Sequence, residues 1–179
     1  MATPCLGELM RIVYARQPFP EGDSLCLENS IFLAGPTPRS PQVKSWRPDA
    51  IDIFRALGFE GTLLVPEDEG GTFKGDYDDQ VEWEEEGLQR ASCILFWIPR
   101  NLVTMPAFTT NDEWGSYKRS GKVVFGAPPD AEKVRYQWYY AEKYDVPRSE
   151  VLGELIPKAI DLAAKQTQKQ IALEHGVFL

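Results

Sequence analysis

The chain has 179 residues, with 27 acidic against 19 basic side chains and a formal net charge of −8. That length suits one domain with a sizeable core, and the charge repels a nucleic-acid backbone over most of the surface, so a small molecule is the expected partner rather than a nucleic-acid polymer. Cys5, Cys26 and Cys93 lack metal-ligand spacing and the lone His175 cannot complete a zinc set, so no metal or cofactor is expected and a reduced, cytoplasmic setting fits.

Along the chain, short β-rich runs alternate with amphipathic segments, the pattern of parallel βα units. Residues Arg11 to Arg16 read as a leading strand, followed by a Pro- and Gly-bearing loop to about Ser24. Ser30 to Ala34 is the next strand. It breaks at Gly35-Pro36-Thr37-Pro38-Arg39-Ser40, and a helix follows from near Arg47 to Leu57 with Ile51, Phe54 and Leu57 inward and Pro48 in its first turn, where a missing amide proton is tolerated. Gly61 to Val65 reads as strand and Pro66 to Gly71 as loop. Asp78 to Ala91 reads as a helix with Val81, Leu88 and Ala91 inward, and Glu85 and Glu86 on a solvated face. Cys93 to Pro99 has a buried-strand pattern, and Gly121 to Gly126 is the strand after it. Beyond a sharp turn at Ala127-Pro128-Pro129-Asp130, Tyr136 to Tyr140 belongs to a helix, Lys143 to Val146 is either a short strand or a helix end, and a last helix covers Glu150 to about Ala172. No apolar run reaches the roughly 18 residues of a membrane span, and the N-terminus lacks the charged start and apolar core of a signal peptide, so no membrane partner is expected.

In a parallel sheet the loops after the strands share one edge, so Gly35 to Ser40, Pro66 to Tyr77 and Pro99 to Glu113 converge there. The first offers a glycine, hydroxyls at Thr37 and Ser40, and Arg39, a set suited to a phosphate or sugar hydroxyl near a helix N-terminus, although it lacks a Walker lysine and GxGxxG spacing. The segment Phe108-Thr109-Thr110-Asn111-Asp112-Glu113-Trp114-Gly115 opens a helix and has two readings. Thr110 and Glu113 form a capping box, or Glu113 is a nucleophile at the edge where open α/β folds keep their chemistry.

Several segments carry a family resemblance in the same order: Ile31-Phe32-Leu33-Ala34-Gly35-Pro36, Tyr77 to Glu84, Ile94 to Pro99, Thr109 to Gly115 and Gly121 to Val124. From about residue 30 to 145 the chain resembles the nucleoside 2-deoxyribosyltransferase-like family. The resemblance implies a flavodoxin-like (Rossmann-like) three-layer α/β sandwich around a mostly parallel sheet of about five strands. The domain expected is a single one over residues 1–179, with a variable N-terminal segment 1–28 and the C-terminal helix at about 150–172. The resemblance also implies cleavage or exchange of the N-glycosidic bond of a nucleoside or nucleotide, and homo-oligomers with sites near interfaces. The aromatics Tyr136 to Tyr140 suit either such an interface or the core.

Glu113 falls on the position of the family's nucleophile. A carboxylate there attacks the anomeric carbon as the base leaves, and water or a second base resolves the glycosyl-enzyme with retention. The helix N-terminus is expected to keep it ionised. Where the family's transferases carry two further acidic residues, this chain reads Ala91-Ser92-Cys93 and Pro106-Ala107-Phe108. The general acid then comes from Asp79, Glu84 or Asp112, with Asp79 preferred. Among binding residues, Gly35, Pro36, Thr37, Arg39 and Ser40 form the loop, Trp83 stacks on a base or fills the core, and Thr110 and Asn111 hold a sugar hydroxyl or cap the helix. Trp46 and Arg47 support the first loop or simply pack the helix behind it. The alternative function is a nucleoside- or nucleotide-binding module of the same fold without the chemistry.

Overall fold

A computed structural model of the chain describes residues 10–20, 27–70, 76–174 and 176. Cys5, Cys26 and His175 lie outside them, as do parts of the N-terminal segment and of the loop after Pro66. The elements run β1 (Arg11–Tyr14), β2 (Leu27–Ala34), α1 (Arg47–Ala56), β3 (Thr62–Val65), α2 (Tyr77–Arg90), β4 (Ala91–Trp97), α3 (Phe108–Tyr117), β5 (Val123–Gly126), α4 (Arg135–Lys143), β6 (Arg148–Ser149) and α5 (Leu152–Glu174).

The strands form one sheet in the order β1-β3-β2-β4-β5-β6, and every pairing is parallel. This is the flavodoxin-like order with one more strand, β1, added at the edge beside β3. Among the described residues the sheet therefore has six strands rather than about five. β4 is buried at every position, as a central strand covered on both faces must be. One face carries Leu33, Val65 and Leu95 against Phe54 of α1 and Ile156 and Ala159 of α5. The other carries Phe32, Ile94 and Phe125 against Trp83 of α2, Trp114 of α3 and Ala141 of α4. These are the three layers of the sandwich.

Local chemistry explains where the helices differ from the expected ones. α1 keeps Pro48 in its first turn and buries Ala50, Ile51 and Phe54, but Leu57 is 50% exposed. Leu57 is the C-cap, and the chain turns away at Gly58 with φ +66°, so the apolar stripe stops one turn early. α2 starts where the Asp76 side chain accepts from the Asp78 amide at 2.9 Å. It buries Trp83, Gly87 and Leu88 rather than Val81, which lies two residues and so about 200° around the helix from Trp83. Ala91 is not in this helix but opens β4. Lys143 ends α4, and the short strand comes later, at Arg148–Ser149. No helix among the described residues is long and apolar enough to cross a membrane.

Candidate active site

β2 and β4 are neighbours in the middle of the sheet, yet they lead to opposite faces: β2 to α1, β4 to α3. Their outgoing loops diverge and leave a crevice at the carboxyl ends, as strand-order reversal requires. A cavity of about 210 Å³ occupies it. Gly35, Pro36, Thr37 and Arg39 line it from the loop after β2, Arg47 from α1, Pro66 from the end of β3, and Glu84 from α2. Pro106 and Ala107, with Phe108, Thr109 and Glu113 of α3, complete the wall.

The loop after β2 is shaped by one buried guanidinium. Arg47 is 1% exposed. Its Nε donates to Leu33 O at 3.1 Å, Nη2 to Gly35 O at 2.7 Å, and Nη1 to Thr37 Oγ1 at 3.1 Å and Glu67 Oε1 at 2.6 Å. The Trp46 indole donates to Pro36 O at 3.2 Å. Trp46 and Arg47 therefore hold the loop by its carbonyls, which leaves its outer surface to the cavity. Gly35 is required here because a Cβ would lie 2.2 Å from Trp97 O.

Glu84 and Glu113 both line the cavity. Burial pushes Glu113 up to about 7, with the Glu84 charge adding to the rise and the Arg47 guanidinium opposing it. Burial also raises Glu84, against the pull of its hydrogen bond from Gln80 and of Arg47. The helix N-terminus does not keep Glu113 ionised as expected. α3 begins at Phe108 with Ala107 as its cap at φ 60°, so Glu113 sits beyond the first turn, where the dipole has faded. For the same reason Thr110 is not a cap, and it forms no capping box with Glu113. A relay fixes Glu84: Arg16 donates to Gln80 Oε1 at 2.8 Å, which turns the Gln80 amide to donate to Glu84 Oε1 at 2.8 Å. Two carboxyls that share one cavity can divide the roles of acid and nucleophile between them.

Of the residues singled out from the sequence, Gly35, Pro36, Thr37, Arg39 and Glu113 come together in the cavity. Ser40, Asp79, Trp83, Thr110 and Asn111 do not line it. The Ser40 carbonyl closes a turn onto Val43 N. Asp79 is exposed in the first turn of α2, about 140° from Glu84 around the helix, facing water. Trp83 is 7% exposed, stacked on Phe19 at 5.2 Å, and donates to Gln17 O at 2.8 Å, so it is core. Thr110 is buried. Asn111 points to α4, where its Oδ1 accepts from Arg100 Nη2 at 2.5 Å and Gln137 Nε2 at 2.7 Å.

Glu84 ranked behind Asp79 in the sequence, yet it takes the place in the cavity. Its signal was Gln80 one turn earlier, a partner on the same helix face. Phe108, an exposed aromatic at the start of α3, was missed as a lining residue because it read only as the lead-in to Thr109. Among the described residues no group of three or more His, Cys, Asp or Glu side chains is placed to hold a metal ion.

The profile of the family described as nucleoside 2-deoxyribosyltransferase like matches residues 28–131, more than half of the chain. The matched span begins in β2 and takes in every residue that lines the cavity. No curated protein matches the chain.

Proposed function

The chain belongs to the nucleoside 2-deoxyribosyltransferase like family, and from that premise we propose that it cleaves or exchanges the N-glycosidic bond of a nucleoside or nucleotide through Glu113. The observation that carries this reading is the pairing of Glu113 with Glu84 in one cavity at the carboxyl ends of β2 and β4. Ionised Glu113 attacks the anomeric carbon as the bond to the base breaks, and protonated Glu84 supplies the proton the departing base nitrogen needs. The resulting ester between Glu113 and the sugar is then attacked by water or by a second base, whose proton returns to Glu84, and configuration is retained.

Glu84 replaces Asp79 as the proposed acid because it lines the cavity with Glu113, while Asp79 faces solvent. Thr37 and Arg39 extend the cavity toward the loop that Arg47 supports, which suits the sugar and a 5′-phosphate. The test is incubation with 2′-deoxynucleosides, ribonucleosides and their 5′-monophosphates, with and without a second free base. Release or exchange of base that Glu113→Ala abolishes is expected. Binding without release by the unmutated protein leaves a binding module, and release that survives Glu113→Ala removes the nucleophile assignment.

A further inference from the structure

Phe108 is 67% exposed, although it is a large apolar ring on the wall of a cavity. Water is a poor neighbour for such a ring, and a planar ligand group is a better one. Its position is set by the backbone: Ala107 takes φ 60°, a conformation unfavourable for a residue with a Cβ, and Phe108 is the first residue of the helix that follows. Across the cavity, the Arg39 guanidinium lies over the Phe108 ring at 5.3 Å. Arg39 is exposed and forms none of the ion pairs among the described residues, so the ring is its neighbour. A cation on an exposed ring is weakly held. An aromatic ligand competes for the same ring, and an anionic group competes for the same cation.

Resting on the proposed N-glycosidic activity, we propose that Phe108 is the stacking platform for the substrate's base and that Arg39 guards it, so that a 5′-nucleotide resolves the pair by giving its base to Phe108 and its phosphate to Arg39. The two residues then read two different parts of one substrate. Thr109, next in α3, and Glu113 one turn beyond it put the sugar between the platform and the nucleophile. A nucleoside offers only the base. It must displace Arg39 from the ring without giving the guanidinium a new partner, so the pair selects nucleotides over nucleosides.

Binding is measured by calorimetry in the Glu113→Gln background, which separates recognition from turnover, with 2′-deoxynucleosides of the four bases and their 5′-monophosphates as probes. Base stacking is typically worth about 1 to 3 kcal/mol, or roughly a fivefold to 150-fold change in Kd. Phe108→Ala is therefore expected to weaken nucleosides and nucleotides alike by at least about fivefold, with Phe108→Trp restoring affinity. Arg39→Met is expected to weaken the monophosphates by about tenfold or more and to leave nucleosides as tight as before or tighter, because the guard is gone. The proposal is overturned if Phe108→Ala changes neither affinity, if Arg39→Met weakens nucleosides and nucleotides equally, or if none of the probes binds. Unmutated protein is assayed in parallel for base release. Release with kinetics that ignore Phe108→Ala sinks the platform and leaves the chemistry standing, whereas stacking-dependent binding without release keeps the platform and sinks the chemistry.

Discussion

Arg47 Nη1 donates to Glu67 Oε1 at 2.6 Å, tying α1 to the loop after β3 through an ion pair whose side chains are 1% and 11% exposed. The same guanidinium holds the carbonyls of Leu33 and Gly35, so the pair and the wall of the cavity are one structure. Replacing Arg47 with Met leaves the largely buried Glu67 carboxylate with only the Ser45 hydroxyl as partner and takes a donor from the Leu33 and Gly35 carbonyls and the Thr37 hydroxyl. Breaking a buried pair from one side costs about 3 to 5 kcal/mol. Urea denaturation of Arg47→Met should show a loss of that order. A loss below about 1 kcal/mol, the usual worth of a surface pair, shows that water replaces the guanidinium freely.

Glu113 makes both stability and activity depend on pH, in opposite directions. Its carboxyl is raised from the ordinary 4.5 to about 7. Between those values the folded protein keeps a proton that the unfolded chain releases, so the stability Glu113 contributes is fully present below about 4.5, falls as pH rises through the window and is gone above about 7. The loss is on the order of 3 kcal/mol. Glu113→Gln removes it, so the variant should match the unmutated protein near pH 4.5 and exceed it at pH 8 in urea midpoints. A constant difference between the two across that range contradicts the burial argument. For the proposed pair Glu113 must be ionised and Glu84 protonated, so kcat/KM should be bell-shaped, climbing about tenfold per pH unit on its acid limb as Glu113 ionises and falling on its alkaline limb as Glu84 loses the proton it donates. A profile already flat from pH 5 upward assigns the nucleophile elsewhere.

The sheet was legible because a covered parallel strand must be apolar throughout, and Ile94 to Ile98 is. Glu113 was legible because the loop before it and the strand after it fixed its edge of the sheet. What escaped depended on helix rotation. Asn111 sits about 200° from Thr109 and Glu113 around α3 and therefore meets α4 rather than the cavity. The start of that helix at Phe108 decides the matter, and no side-chain cap announces it. Asp79 and Glu84 differ in the same way on α2, and the residue behind Gln80's hydrogen bond is the one that turns inward. The role of Arg47 was open between loop support and packing, because its acceptors are carbonyls and Glu67, twenty residues away in sequence.

Gly35 gives the sharpest steric test. A Cβ at this position would lie 2.2 Å from Trp97 O and 2.9 Å from the Trp46 ring. The carbonyl belongs to β4 and the ring is wedged beneath the loop, so neither yields without moving β2 away from its neighbour. Gly35→Ala should cost at least the roughly 1 to 3 kcal/mol typical of overpacking and should disturb the loop that carries Thr37 and Arg39. Gly121→Ala is the comparison: it has φ +75° but nothing within 4 Å of its Cβ, so its cost is backbone strain alone. Thermal denaturation of the two separates close approach from backbone freedom. Equal losses argue against the steric account, as does an unchanged ligand affinity in Gly35→Ala.

Arg100 ties the loop after β4 to α3 through a buried guanidinium. It is 6% exposed, donates to Lys133 O at 2.8 Å and to Asn111 Oδ1 at 2.5 Å, and its Nε has no hydrogen-bond partner. Gln137 donates to the same Asn111 oxygen at 2.7 Å while its own Oε1 is unpartnered. One oxygen thus joins the loop after β4, the helix carrying Glu113 and the start of α4. Asn111→Leu leaves both donors unsatisfied in a buried place, at about 1 to 3 kcal/mol for each group so orphaned. Asn111→Asp keeps the acceptor and gives the guanidinium an opposite charge, so it should be at least as stable as the unmutated protein. If the network also positions Glu113, Asn111→Leu lowers kcat per folded molecule with little change in KM, and Asn111→Asp restores it. Loss of stability with kcat unchanged confines the network to holding α3 and α4 together.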